Sequence, residues 1–286
     1  MGLLDKITYK FAIKTFHLFE KYLKLHVTPV HFYSPIPNTD NLDASVYEKI
    51  YDCISIDWNL DVQLDFLTKI FYNYYNEYFP VENSGLSMVD SFVLYSMIRK
   101  YKPNIIIEIG AGNSTKIALE AVAKNRMDNH PTQFYSIEPY PADYLKDIYV
   151  DGYKLIEKKV QDIEISFLKE ADLLFIDSSH VSKINSDVNY QILEIIPSLK
   201  TGSIVHWHDS LIPSNYSKLW INNGNMFFNE SYMLHAFMSF NRAFKIIWSS
   251  MYMQLNHPGK MKKQFSYFSP DNIDQQNTSF WIQKVE

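Results

Sequence analysis

One cysteine in 286 residues, Cys53, excludes an internal disulfide and any cysteine-built zinc or iron–sulfur centre. No apolar run approaches the roughly 18 residues a membrane span needs. No secretory leader is readable either, so the expectation is a soluble, cytoplasmic protein. A basic excess is also missing. Lys and Arg number 27 against 32 Asp and Glu, for a net charge of −5, which disfavours a nucleic-acid-binding surface. What the chain has is apolar side chains: 47% hydrophobic against 21% charged residues, enough to bury a sizeable core. Its length suits one large domain, or one domain with an extension. Aromatics reach 16%, with 21 Tyr and 19 Phe; they suit broad packing surfaces or a substrate cleft, and composition does not choose between them. No internal repeat or low-complexity tract is present.

Residues 3 to 25 carry Leu3, Leu4, Ile7, Phe11, Leu18, Phe19, Tyr22 and Leu25 at helical spacing, with Lys6, Lys10, Lys14, Lys21 and Lys24 mostly on the other side. Such a stripe usually packs on its own domain, although a basic amphipathic helix can also lie on an anionic membrane surface or join two copies in a homo-oligomer. Pro29, Pro35 and Pro37 break the pattern into a loop. A second helical pattern runs from Asp61 to Phe79 and should end at Pro80. Residues 1–84 therefore read as a helical extension without chemistry of its own, and 85–286 as the domain that follows it.

From Ser87 the texture alternates. Ser87 and Asp90 have the spacing of a capping box and open a helix to Tyr101. Ile105–Ile109 is a short β-branched run bounded by proline and glycine, the pattern of a strand buried on both faces. Further strands are expected at Phe134–Ile137, Lys154–Glu157, Leu173–Ile176, Ser203–Trp207, Phe244–Trp248 and Ser279–Lys284. Helices fill the gaps at Thr115–Lys124, Ile184–Ile196 and Glu230–Phe240. Strict alternation implies an α/β fold built on an open, mostly parallel seven-stranded sheet with helices on both faces, its ligands at the carboxyl ends of the strands.

The first strand runs into Glu108-Ile-Gly110-Ala-Gly112-Asn-Ser114-Thr115. Gly110 permits a tight turn, Gly112 lets a ligand approach the backbone, and Ser114 or Thr115 can cap the next helix. A dinucleotide fingerprint would place a third glycine where Thr115 stands, which counts against a nicotinamide-dependent oxidoreductase. Glu138 ends the second strand, where an acidic side chain can accept both hydroxyls of a ribose. Plainer readings stay open: the glycines can form a simple turn, and Glu138 can be a turn residue before Pro139.

In these residues the chain resembles the class I S-adenosylmethionine-dependent methyltransferases, a Rossmann-like family whose sheet closes with a short antiparallel strand. The resemblance spans Ser87 to Glu286. It implies S-adenosylmethionine as cofactor, with Glu108, Gly110, Gly112 and Ser114 around the methionine part, Glu138 on the ribose, and Asp162 near the adenine amine. Gln161 is the alternative to Asp162.

Two polar strand ends carry the remaining chemistry. Asp177 and His180 follow the fourth strand; His206, His208 and Asp209 follow the fifth. In an open α/β sheet both loops face one crevice. A histidine there can take a hydroxyl proton, and two aspartates can hold a divalent cation. The segment looks like the branch that methylates sugar and secondary-metabolite hydroxyls, including metal-dependent sugar O-methyltransferases. That resemblance implies Asp177 and Asp209 as metal ligands and His180 as base. His208 stands where the pattern has a second carboxylate, and an imidazole ligand suits Mn, Fe or Zn better than Mg. Structural roles compete for each residue: Asp177 as a turn cap, His180 as a loop brace, His208 as a partner of a ligand, His206 as core packing. Trp220, Phe227, Phe228 and Tyr232 can cover an acceptor pocket. The expectation is O-methyl transfer to a sugar, glycan or other small-molecule hydroxyl, the alternative a non-catalytic methyltransferase-like binding domain. Nucleic-acid amino-methylation is disfavoured because Asp177-Ser-Ser-His180 replaces the proline-rich motif of that class.

Overall fold

The structure is a computed structural model that describes residues 3–78, 85–269 and 276–286, the side chains of 3–5 excepted. It divides into two compact units: residues up to 49 with 216–227, and residues 50–215 with 228–286. The division falls at 49, not at the expected boundary of 84, because residues 60–74 belong to a sheet-covering core. Phe66, Leu67 and Phe71 are buried in one cluster with Phe92, Trp248 and Phe265. Phe71 meets Trp248 edge-on with ring centroids 4.9 Å apart.

In the smaller unit, α1 (Leu3–Leu23) is the expected amphipathic helix. In the larger unit, the helical pattern expected over Asp61–Phe79 is irregular. Leu60–Asp65 is α-helical, Phe66–Ile70 has π-type hydrogen bonds, and Phe71–Tyr74 tightens to a 3₁₀ turn. Phe79 and Pro80 lie outside the described residues.

Seven strands form one sheet: β1 (Ile105–Ile109), β2 (Gln133–Ile137), β3 (Tyr153–Ile156), β4 (Leu173–Ile176), β5 (Ile204–Trp207), β6 (Phe244–Ser249) and β7 (Phe280–Lys284). Their spatial order is β3-β2-β1-β4-β5-β7-β6. Pairing is parallel from β3 to β5, and β7 runs antiparallel between β5 and β6. The apolar run of β1 has the burial expected of a central strand: Ile106 and Ile107 are buried on opposite faces, in two separate core clusters. The chain moves outward from β1 to β3 and restarts on the other side at β4. The topological switch between β1 and β4 opens the crevice where α/β sheets bind ligands.

Helix Met88–Tyr101 starts at the expected cap, with the Ser87 hydroxyl accepting the Asp90 N–H. Asp90 does not reach back to complete a capping box. Its buried carboxylate accepts the Ser250 hydroxyl at 2.6 Å and the backbone N–H groups of Thr278 at 2.6 Å and Ser279 at 3.2 Å. It thereby ties this helix to the end of β6 and the start of β7.

Candidate active site

The glycine loop leaves β1 through Gly110, whose φ is +88°, a backbone conformation that favours glycine. A β-carbon there would fall 1.7 Å from the Asp177 carbonyl oxygen, so glycine is required by both conformation and space. Gly112 differs: a β-carbon on it meets no other group within 4 Å, so nothing in the chain itself requires glycine there. Helix Asn113–Met127 begins directly after Gly112, which places Ser114 and Thr115 inside its first turn and not at the expected cap position.

Both hydroxyls turn back to Glu108. Ser114 Oγ donates to one carboxylate oxygen at 3.1 Å, Thr115 Oγ1 to the other at 2.8 Å, and Ser136 of β2 also donates. Thr115 Oγ1 in turn accepts the Gly112 N–H at 3.2 Å. Complete burial pushes the Glu108 carboxyl up to about 7, although the three hydroxyls pull the other way. Glu108 is not a wall of the cleft; it holds the loop and the helix start together from behind.

The cleft has a volume of about 460 Å³ and is walled by Ile109, Gly110, Glu138, Tyr140, Gln161 and Asp177, among others. Glu138 ends β2 as expected, and its carboxylate accepts the Tyr140 N–H at 2.8 Å. At the adenine position Gln161 lines the cleft, its amide donating to the Asn185 carbonyl at 3.0 Å. Asp162 is exposed and not part of the wall, because the 3₁₀ turn Val160–Asp162 rotates consecutive side chains apart. Lys159 and Lys183, which sequence reasoning passed over, also face the cleft.

At the neighbouring strand ends, Asp177, His180 and Asp209 each offer a ligating atom, all within 4.8 Å of one another. His180 Nε2 lies 3.3 Å from Asp177 Oδ1 and 3.6 Å from Asp209 Oδ2. His180 and Asp209 both hold positive φ, +56° and +53°, a conformation that costs a non-glycine residue energy and that the surrounding loops enforce. His180 is the histidine of this set, where the sequence offers His208 as the ligand. His208 sits behind, with Nδ1 3.2 Å from Asp209 Oδ1 and 3.6 Å from Asp177 Oδ1.

Glu230 was read only as a helix start, yet it is the closest partner of His180. The Glu230 carboxylate is buried and lies 2.8 Å from His180 Nδ1. Fifty residues of sequence separate the two, and an acid in the first turn of a helix ordinarily signals nothing more than the helix dipole. With Nδ1 engaged, only Nε2 of His180 faces the two aspartates.

Charges in the cluster are strongly coupled. Burial alone would raise the Asp177 carboxyl, but His208 and His180 outweigh it and hold it far below the usual carboxylate range. Burial disfavours a charged His180, whereas Asp177, Glu230 and Asp209 reverse this and hold its proton well above the usual imidazole range. His208 is pushed up to about 9, its burial outweighed by Asp209 and Asp177. Three carboxylates thus require positive charge among them, from imidazolium protons or from a cation. His206 is packed in the core, its ring centroid 4.5 Å from that of Phe175 and 4.2 Å from that of Trp281, and burial lowers its proton affinity. Of the four cover residues, Phe228 lies beside the cluster, 5.0 Å from the His180 ring.

A family model described as "Methyltransferase domain" matches residues 107–210, from β1 to the residue after Asp209. A protein of Archaeoglobus fulgidus, itself uncharacterized, is 32% identical over 162 residues, covering 49% of this chain and 72% of that one. Two solved structures are similar in fold. The methyltransferase PaMTH1 of Podospora anserina, bound to S-adenosylhomocysteine, has a TM-score of 0.47 at 14% identity, covering 79% of this chain and 88% of its own. The O-methyltransferase TomG of Streptomyces achromogenes, in complex with S-adenosylmethionine, has 0.46 at 11%, covering 80% and 97%. Residues 107–210 are a methyltransferase domain, carried on the seven-stranded sheet with one antiparallel strand that the resemblance to the class I S-adenosylmethionine-dependent enzymes implies. The protein is a methyl-transferring enzyme.

The donor set fits the cofactor. The Glu138 carboxylate offers acceptors for a ribose diol, and the chain places nothing beside the Cα of Gly112, which leaves its backbone open to a ligand.

Proposed function

We propose that the enzyme is an O-methyltransferase acting on a hydroxyl of a sugar, glycan or other small molecule, with help from a divalent cation. One observation carries the reading: Asp177 belongs at once to the cofactor cleft and to the Asp177–His180–Asp209 cluster, so a hydroxyl held at the cluster adjoins the cofactor. When bound, S-adenosylmethionine supplies an electrophilic methyl group, and a divalent cation supplies Lewis acidity that lowers a hydroxyl's pKa. Asp177 and Asp209 would hold the cation. With the cation supplying the positive charge that otherwise keeps His180 protonated, His180 Nε2 would accept the hydroxyl proton, its ring oriented from behind by Glu230 at Nδ1. Glu138, Gln161, Gly110 and Gly112 would hold the cofactor.

The 4.8 Å convergence of all three cluster residues favours a second role for His180, as third ligand through that same Nε2. Nε2 cannot serve both purposes at once. Mn²⁺ titration of the parent protein and of His180→Ala separates them. A base leaves Mn²⁺ affinity within about twofold while methyl transfer falls roughly 10²–10⁴-fold; a ligand loses both. Parent protein that binds no Mn²⁺ or other divalent ion would contradict the cation in either role.

A further inference from the structure

The amino-terminal unit carries an apolar strip that is exposed among the described residues. One face of α1 is met by the segment that returns after it. The rings of Tyr9 and His31 lie 5.9 Å apart, Phe16 and His26 stack at 5.1 Å, and the Leu25 N–H donates to the Phe19 carbonyl. Ala12, on that face, is buried. A different face presents Ile7, Phe11, Leu18 and Tyr22, which are 56%, 57%, 53% and 68% exposed. At 3.6 residues per turn these four fall within about 60° of arc.

Along one edge of that strip lie Lys6, Lys10, Lys14 and Lys21, all exposed and none in an ion pair among the described residues. Lys21 Nζ lies 5.1 Å from the Tyr22 ring. Just beyond the helix, Phe32 and Tyr33 are 93% and 86% exposed in a turn closed by the Ser34 N–H on the His31 carbonyl. This local positive edge stands on a chain whose net charge is −5. No helix among the described residues is long and apolar enough to cross a membrane.

We propose that this face of α1 docks the enzyme on an anionic lipid bilayer. A helix with an apolar strip and a lysine edge lies in the plane of the interface. Its strip sinks to the acyl boundary while the lysine stems run along it and keep their ammonium groups at the headgroups. The uncompensated lysines choose the occupant, because an anionic bilayer offers apolar depth and negative charge in adjacent layers.

The test uses the full chain with phosphatidylcholine vesicles and with mixed phosphatidylcholine–phosphatidylserine vesicles, bound fractions being read by co-sedimentation. The expected result is binding at least about tenfold tighter to the phosphatidylserine vesicles, weakening as salt rises. Lys10→Glu with Lys14→Glu and Lys21→Glu should remove that preference. Phe11→Asp with Leu18→Asp should remove binding altogether. Both variants should keep the parent's circular dichroism and S-adenosylhomocysteine affinity, which separates lost docking from lost folding. Equal binding to the two vesicles, no binding to either, or a solution dimer that Phe11→Asp abolishes would each overturn the proposal, the last by giving the strip to a second copy of the chain.

Discussion

Gly110 and Asp177 stand against each other: the Asp177 carbonyl oxygen occupies the space, 1.7 Å away, that a β-carbon on Gly110 would need. The glycine loop and the cluster loop therefore share one wall. The Asp177 N–H donates to the Ile109 carbonyl at 2.9 Å, which fixes the registry of that wall. A change in either loop is transmitted to the other by backbone contact.

Gly110→Ala should accordingly damage both functions of the cleft. The methyl group meets backbone, which cannot swing aside, and φ is +88°. Left-handed strain and overpacking together cost about 2–5 kcal/mol. Denaturant unfolding and S-adenosylhomocysteine titration check this: the variant should be less stable by that amount and bind the cofactor product at least roughly tenfold more weakly. Parent-like stability would refute the close approach.

Glu108 makes stability depend on pH in an unusual direction for a carboxylate. Burial raises its folded-state value from 4.5 to about 7, so between those values the folded protein holds a proton that the unfolded chain has released. That contribution is fully present below pH 4.5 and is lost as pH rises through about 7, and the span corresponds to about 3 kcal/mol. Unfolding free energies of parent and Glu108→Gln, measured across this window, should differ in slope, with the parent falling more steeply. Parallel slopes would mean that the three hydroxyls keep Glu108 ionised throughout.

Asp90→Ala should destabilise the domain without touching the cleft. The substitution strands the Ser250 hydroxyl and two backbone N–H groups around a buried void. A loss of about 3 kcal/mol or more is expected, read as a lower urea midpoint. S-adenosylhomocysteine affinity under native conditions should stay within about twofold of the parent.

Glu230→Gln should act through His180. The amide can still meet Nδ1 but no longer offers a carboxylate to hold the Nδ1 proton, so the ring is free to change tautomer. Metal affinity or methyl transfer, whichever His180 serves, should fall roughly 10–100-fold. Cofactor-product affinity should remain unchanged, since Glu230 is not a wall of the cleft. Loss of cofactor binding in this variant would count against a role confined to His180.

The strands were the most legible part of the sequence. A short β-branched run bounded by proline and glycine leaves little choice, and each expected strand overlaps an observed one closely. Gly110 was legible for the same local reason. What escaped depends on distances that sequence spacing does not encode. Glu230 meets His180 across a loop of 50 residues. The convergence of His180 with Asp177 and Asp209 depends on the course of a loop, with His180 at positive φ, that spacing alone does not give. The division at 49 differs from the boundary expected near 84 because helically spaced aromatics such as Phe71 look the same on an extension as on a cover for the sheet.

Calorimetric titration with S-adenosylhomocysteine, with and without EDTA and with NAD⁺ as control, tests the central claim most directly. The cleft of Gly110, Glu138 and Gln161 predicts micromolar binding of the homocysteine product, indifference to EDTA because the proposed cation site lies beside the cleft, and no binding of NAD⁺. Binding of NAD⁺, or of neither compound, would contradict the account.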